Sequence, residues 1–135
     1  MSKNLMLAPL LAVVVLLTSC QTYREKSDEM KLDDLLKAYE KDLRWGSLPN
    51  IYNFLDADLR KQTLIPGDLE NVKVTRVSRL TPVVHISETS ATLTISIDYV
   101  FEDEQVERTL VDEQVWAQQD ESGQWFRSNP IPRFE

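Results

Sequence analysis

Thr92-Leu-Thr-Ile-Ser-Ile-Asp-Tyr-Val-Phe101 alternates apolar and polar side chains residue by residue. In an extended chain successive side chains point to opposite faces, so Leu93, Ile95, Ile97, Tyr99 and Phe101 share one side, and Thr92, Thr94, Ser96 and Asp98 share the other. The stretch predicts a strand with one face on a core and one face wet or shared. Downstream, Glu102-Asp103-Glu104-Gln105 forms a polar turn into a long strand from about Val106 to Gln118. Asp120-Glu121-Ser122-Gly123 then turns the chain into a last strand around Gln124 to Arg127. These are two consecutive hairpins, and Pro130 and Pro132 prevent a further central strand or helix.

Upstream, Val72, Val74 and Val77 suggest another strand, whose slip in alternation is the mark of a β-bulge. Pro82 interrupts it, and Val83, Val84 and Ile86 either continue it after a bend or form an edge piece. Before the turn signal Ile65-Pro66-Gly67-Asp68 the period changes from two to 3.6. Leu32, Leu35, Leu36, Tyr39 and Leu43 fall on one stripe of a helix that Ser27 or Asp28 caps at its start. Gly46 ends it and is expected to take a left-handed conformation. On the solvent side Asp33 with Lys37, and Glu40 with Arg44, stand in the favourable acid-before-base order at i,i+4. Pro49 suits the first turn of a short helix through about Asp56 with Ile51, Phe54 and Leu55 as its apolar residues, and Asp58 to Gln62 adds another turn.

Helices first and antiparallel hairpins afterwards predict an α+β fold, with the helices packed on one face of a curved antiparallel sheet. The long helix closing on Leu43-Arg44-Trp45-Gly46, the short helix ending in Phe54-Leu55, and the hairpins ending in Trp116 and Gly123-Gln124-Trp125-Phe126 resemble the nuclear-transport-factor-like superfamily over residues 28 to 135. Cystatin-like single-helix folds are the nearest competitor. The resemblance implies a cone-shaped sheet wrapped around the long helix, with a mouth that can be a pocket. The superfamily holds isomerases and dehydratases as well as transport and assembly subunits, so fold alone selects no activity.

The N-terminal segment sets location. Met1-Ser-Lys-Asn is a basic start, Leu5 to Leu17 is uncharged and apolar, and small residues follow, the pattern of a secretory signal. The apolar run is shorter than the roughly 20 residues a spanning helix needs, and it contains Pro9. Leu17-Thr18-Ser19-Cys20 matches the lipobox, and the chain there resembles a bacterial lipoprotein precursor. That resemblance implies a cleaved signal peptide over residues 1–19, palmitate or a related acyl group on Cys20, and a membrane anchor. Gln21, where Asp commonly signals inner-membrane retention, implies the periplasmic face of the outer membrane of a Gram-negative bacterium. Residues 20–27 form the lipidated Cys and a short tether, of which Gln21 to Ser27 reaches about 20–25 Å, and residues 28–135 form a single domain.

Composition narrows the chemistry. The 135 residues include three Gly, one His and one Cys, too few for a glycine-rich phosphate loop, a multi-His metal site or a disulfide framework. Loss of residues 1–19 removes Lys3 as the only charged residue, so 14 basic residues face 22 acidic ones, a net charge of −8. Such a body is repelled by nucleic acid, which is not expected as a partner.

His85 is the default acid/base candidate because only an imidazole ordinarily titrates near neutrality, but beside Val83, Val84 and Ile86 it reads as structural. Asp98 is the one charge within the strongest strand, on the face turned from the core. Tyr39, Trp45, Tyr52, Tyr99, Trp116 and Trp125 either line an apolar pocket with polar handles or fill a small core. Glu102-Asp103-Glu104, Asp112-Glu113 and Asp120-Glu121 lack the spaced oxygen ligands and fixed glycine of a calcium loop and read as a solvated acidic edge. No metal, cofactor or catalytic residue is expected. The leading expectation is a non-catalytic envelope lipoprotein that binds another envelope protein or a second copy of itself, with the Thr/Ser face of Thr92–Phe101 as a pairing surface. A carrier or sensor of an apolar small molecule is the alternative, and an isomerase or lyase the third.

Overall fold

The computed structural model of the chain describes residues 31–135. The expected signal peptide, lipobox, tether and helix cap lie outside the described residues. Helix α1 occupies residues 31–45, and its apolar stripe is the one the sequence spacing marks: Leu32, Leu36, Tyr39 and Leu43 are all buried. A 3-10 helix, Leu48–Phe54, follows with Pro49 in its first turn, and α2, Ala57–Gln62, starts where the Asp56 carboxylate accepts the Leu59 N–H at 2.8 Å. After a short 3-10 turn at Leu69–Asn71 the chain enters the strands β1 (Val72–Arg79), β2 (Val84–Ser87), β3 (Ser90–Phe101), β4 (Glu107–Gln118) and β5 (Trp125–Arg127). The fold is α+β: helices packed against an open antiparallel sheet of five strands.

β3 is the spine. One of its edges pairs along its length with β4, from Ser90↔Ala117 to Val100↔Glu107. The other edge takes β1 against its second half and β2 against its first. β1 and β2 are therefore one edge strand broken at Pro82, where the N–H groups of Leu80 and Thr81 both turn to the Thr94 carbonyl. The slip in the β1 pattern is a bulge at Thr75, between the pairs Val74↔Tyr99 and Arg76↔Asp98.

Along β3, Ala91, Leu93, Ile95, Ile97 and Tyr99 are buried in the core cluster that also holds the α1 stripe, while the intervening residues are half-exposed. The sheet curves toward the helix. The His85 ring of β2 meets the Trp125 ring of β5 edge-on at 6.1 Å, although β3 and β4 lie between them in the ladder. Three strand spacings separate those backbones, about 14 Å in a flat sheet. The register puts His85 opposite Ala91, whose small side chain leaves the space above it clear.

Two local expectations are corrected. Gly46 does not adopt a positive φ; Gly123 is the described glycine that does, at 74°. Gly46 is required by close approach: a Cβ there would lie 2.6 Å from Asp42 Oδ1 and 2.9 Å from Asp42 Cα, as the chain folds back so that its N–H reaches the Lys41 and Asp42 carbonyls. The second concerns α1. Asp33 and Lys37 do pair, at 2.6 Å, but Glu40 and Arg44 do not pair with each other. Glu40 takes Arg79 of β1 at 2.7 Å, and Arg44 donates to the Val74 carbonyl and stacks on the Trp45 ring. Both side chains tie the helix to the sheet edge, a contact that helical spacing alone does not reveal.

Candidate functional site

The inward face of β4 carries Leu110, Asp112, Gln114 and Trp116, and its outward face Val111, Glu113 and Val115. Alternation leaves either face of this strand free to turn inward, and the one with the carboxylate does: Asp112 is 1% exposed, Gln114 is buried, and Val111 is 53% exposed. The reason stands opposite, on β5, where Arg127 is fully buried and pairs in register with Trp116.

The Arg127 guanidinium has five N–H groups, and all five are used. Nη1 donates to Asp112 Oδ2 at 2.7 Å and to the Tyr39 hydroxyl at 2.9 Å; Nη2 donates to Asp112 Oδ1 at 2.6 Å and to the Pro130 carbonyl at 2.9 Å; Nε donates to the Asn129 carbonyl at 3.2 Å. The fork matches the carboxylate with two parallel bonds, the geometry in which a charge pair is strongest. The network continues outward. Gln114 Nε2 donates to Asp112 Oδ2, and Trp116 Nε1 donates to Gln114 Oε1, each at 2.9 Å. Arg127 also links the layers through its backbone, its carbonyl accepting the Asp56 N–H at 2.9 Å at the start of α2.

Burial opposes the charge on Arg127 more than any single contact favours it, but Asp112 and Tyr39 together outweigh it and hold the guanidinium above its ordinary pKa. Burial likewise drives the Tyr39 hydroxyl well above the usual tyrosine range, partly opposed by Arg127. The Arg127 guanidinium is saturated, so it has no donor to offer a substrate. It pins β5 and the C-terminal segment onto β4 and α1. The reading of Asp112 as part of a solvated acidic edge is thereby corrected, whereas Glu113, Asp103, Glu104, Asp120 and Glu121 are exposed. Arg127 was visible in the sequence only as the last residue of a short strand. The available signal was the polar pair Asp112 and Gln114 on the same strand face as Trp116.

The aromatic candidates do not converge on one opening. Tyr39 and Trp116 meet Phe54 and each other edge to face, with centroids 5.2–6.3 Å apart. Tyr52 is buried in the same core. Tyr99 lies at the other end of β3, packed on Phe134 at 5.0 Å and donating to the Glu135 carbonyl at 2.6 Å. Trp125 is buried beside His85, and Trp45 stands outside, 76% exposed. Two grooves open near these residues. One, of about 440 Å³, is lined by Phe101, Arg108, Arg133 and Phe134 at the Tyr99 end; the other, of about 530 Å³, lies between Lys31 and Leu35 of α1 and Trp125 and Phe126 of β5.

The acid/base candidates are kept apart. His85 is exposed at the sheet edge on the helix-facing side, by its register with Ala91. Asp98 points to the opposite face near the far end of β3, where Oδ1 accepts from the Thr109 hydroxyl at 2.7 Å and Oδ2 meets Arg76 Nε at 3.2 Å. The two share no concavity. Among the described residues no three His, Cys, Asp or Glu side chains are gathered as a metal site, and no helix is long and apolar enough to cross a membrane. Cys20, Leu17, Thr18 and Ser19 lie outside the described residues. Compared with family models, with curated proteins and with solved structures, the chain gives no match.

Proposed function

We propose that this chain is a lipid-anchored protein of the bacterial envelope, held by acylated Cys20 at the periplasmic face of the outer membrane, and that it works by binding a partner rather than by chemistry. The observation that carries the reading is the placement of the single cysteine: Cys20 directly follows Leu17-Thr18-Ser19 at the end of an apolar run. Two or three acyl chains on one residue hold a domain of this size firmly, since each buried methylene adds about 0.8 kcal/mol. The body of the protein is consistent with a binding role. Arg127 and Asp112, its one buried ion pair among the described residues, are spent on each other, and His85 and Asp98 face opposite sides of the sheet. The broad surface left for recognition is the outer face of the sheet. The curvature that brings His85 to Trp125 supports the nuclear-transport-factor-like cone as the finer architecture.

Metabolic labelling with an alkyne palmitate analogue, followed by membrane fractionation, tests the anchor. The wild-type protein is expected to label and to sediment with outer membranes, and Cys20→Ala to do neither. Equal labelling of the two proteins refutes the assignment.

A further inference from the structure

β4 runs for 12 residues, but the chain lies along its outer edge only from residue 113 onward. β5 pairs with residues 116–118. Ser128 then donates its N–H to the Val115 carbonyl, and the Asn129 side chain accepts from the Val115 N–H and donates to the Glu113 carbonyl. Pro130 and Pro132, which have no N–H for a ladder, follow, and the C-terminal segment leaves the edge for the core, where Ile131 and Phe134 are buried.

Residues 107–111 are left as an open edge. The N–H and C=O of one strand residue point to the same side, and successive residues alternate. Val115 and Glu113 point away from β3, so Val111 and Thr109 do as well, and their two N–H and two C=O groups meet no partner among the described residues. The opposite edge of the sheet is guarded by the bulge at Thr75, the break at Pro82 and the exposed cations Lys73, Arg76 and Arg79. Residues 107–111 hold no bulge, proline or lysine, and their register with β3 is unbroken. On the outer face of this edge Val111 stands exposed between Glu107 and Glu113, whose carboxylates are exposed and meet no charged partner among the described residues. On the inner face Leu110 is only partly buried.

We infer that this edge of β4 takes an extended, basic polypeptide segment of a partner as an added strand, bonded through the backbone of Thr109 and Val111. The inference deepens the partner-binding reading, on which it rests, and does not depend on the anchor. Backbone bonds draw in an extended chain of any sequence, and the side chains beside them select it. An apolar residue of the segment lies beside Val111, another covers Leu110, and basic residues at its two ends meet Glu107 and Glu113. The net charge of −8 on residues 20–135 draws a segment of that sign toward the edge. A second copy of β4 is a poorer occupant, because antiparallel self-pairing centred on Leu110 sets Glu107 against Glu113 at both ends.

The test uses the full-length chain in detergent micelles and the end-blocked peptide Lys-Thr-Val-Leu-Thr-Thr-Lys. At about ten times its Kd the peptide is expected to slow hydrogen exchange at the Thr109 and Val111 amides roughly tenfold and to leave the amides of β1 and β2 unchanged. Glutamates in place of its two lysines, or methyl groups on its backbone nitrogens that face β4, are expected to weaken binding roughly tenfold. Glu107→Lys combined with Glu113→Lys is expected to reverse the preference, so that the glutamate-ended peptide binds better. Val111→Pro removes one outward N–H and leaves the bonds between β3 and β4 in place, and it is expected to lose the peptide while keeping its melting temperature. Protection on the β1 and β2 edge instead, equal binding of the methylated peptide, an unreversed preference, or a peptide-free dimer in which Thr109 and Val111 are already protected overturns the inference. The parent reading fails separately. With a photo-crosslinking residue at position 41 or 111 in cells, capture of a polypeptide at 41 but not at 111 overturns the edge and leaves partner binding standing, whereas no capture at either, with the peptide still protecting the edge, refutes partner binding instead.

Discussion

Removal of the Asp112 carboxylate tests whether one buried ion pair holds the two ends of the domain together. In Asp112→Ala the Arg127 guanidinium stays fully enclosed, losing two charge-assisted hydrogen bonds and its counter-charge, and Gln114 Nε2 loses its acceptor. Each charge-assisted bond contributes about 1.5–3 kcal/mol, and breaking a buried pair from one side costs about 3–5 kcal/mol. Against a total stability of about 5–15 kcal/mol, this is about a fifth or more of what holds the fold. With a urea dependence of about 1.5 kcal/mol per molar for a domain of this size, the unfolding midpoint should fall by about 2–3 M. The assay is urea denaturation followed by circular dichroism and by tryptophan fluorescence, because Trp116 ends the hydrogen-bonded chain. Asp112→Leu combined with Arg127→Met removes both charges and leaves only neutral groups unpaired: the Tyr39 hydroxyl, the Gln114 amide and two carbonyls. It should therefore be less destabilised than the sum of the two single changes, by at least about 2 kcal/mol. A loss below about 1 kcal/mol for Asp112→Ala, or strict additivity in the cycle, would refute the reasoning.

Three further outcomes are expected. Burial holds the Tyr39 hydroxyl protonated above the point, near pH 10, where it titrates in the unfolded chain; above that pH only the unfolded state releases its proton, so stability falls by about 1.4 kcal/mol per pH unit. Tyr39→Phe should flatten this alkaline slope in urea titrations from about pH 10 to 11.5, leaving the smaller part due to Tyr52, which burial shifts the same way, and an unchanged slope would contradict it. Gly46→Ala should lower stability by about 1–3 kcal/mol because its Cβ meets the Asp42 backbone, whereas Gly67→Ala, with open space around it and no positive φ, should raise it by about 0.4–1 kcal/mol; thermal melts of the pair check the contrast. Gln21→Asp should move the protein from outer- to inner-membrane fractions on a sucrose gradient, and an unmoved protein would remove the support Gln21 gives to the outer-membrane placement.

The sequence by itself determined the order of the elements and most of their extent, though the helix after Pro49 is a 3-10 helix that ends at Phe54 and β3 begins two residues before Thr92. The 3.6-residue stripe of α1, the strict alternation of β3, the break at Pro82 and the bulge before Val77 are local consequences of backbone period and of proline's missing donor, and each lies where the residues put it. Tertiary structure decided which face of β4 turns inward. Alternation defines two faces of a strand but not which one meets the helix: Leu110 and Trp116 stand on one face of β4 and Val111 and Val115 on the other, so hydrophobicity does not separate them. Asp112 and Gln114 are inward because Arg127, 15 residues later, supplies the opposite charge, and Tyr39, 88 residues before Arg127, supplies one further acceptor for the guanidinium. Burying a carboxylate is tolerable only when both its charge and its lone pairs are met, and that condition depends on three chain segments which no local window brings together.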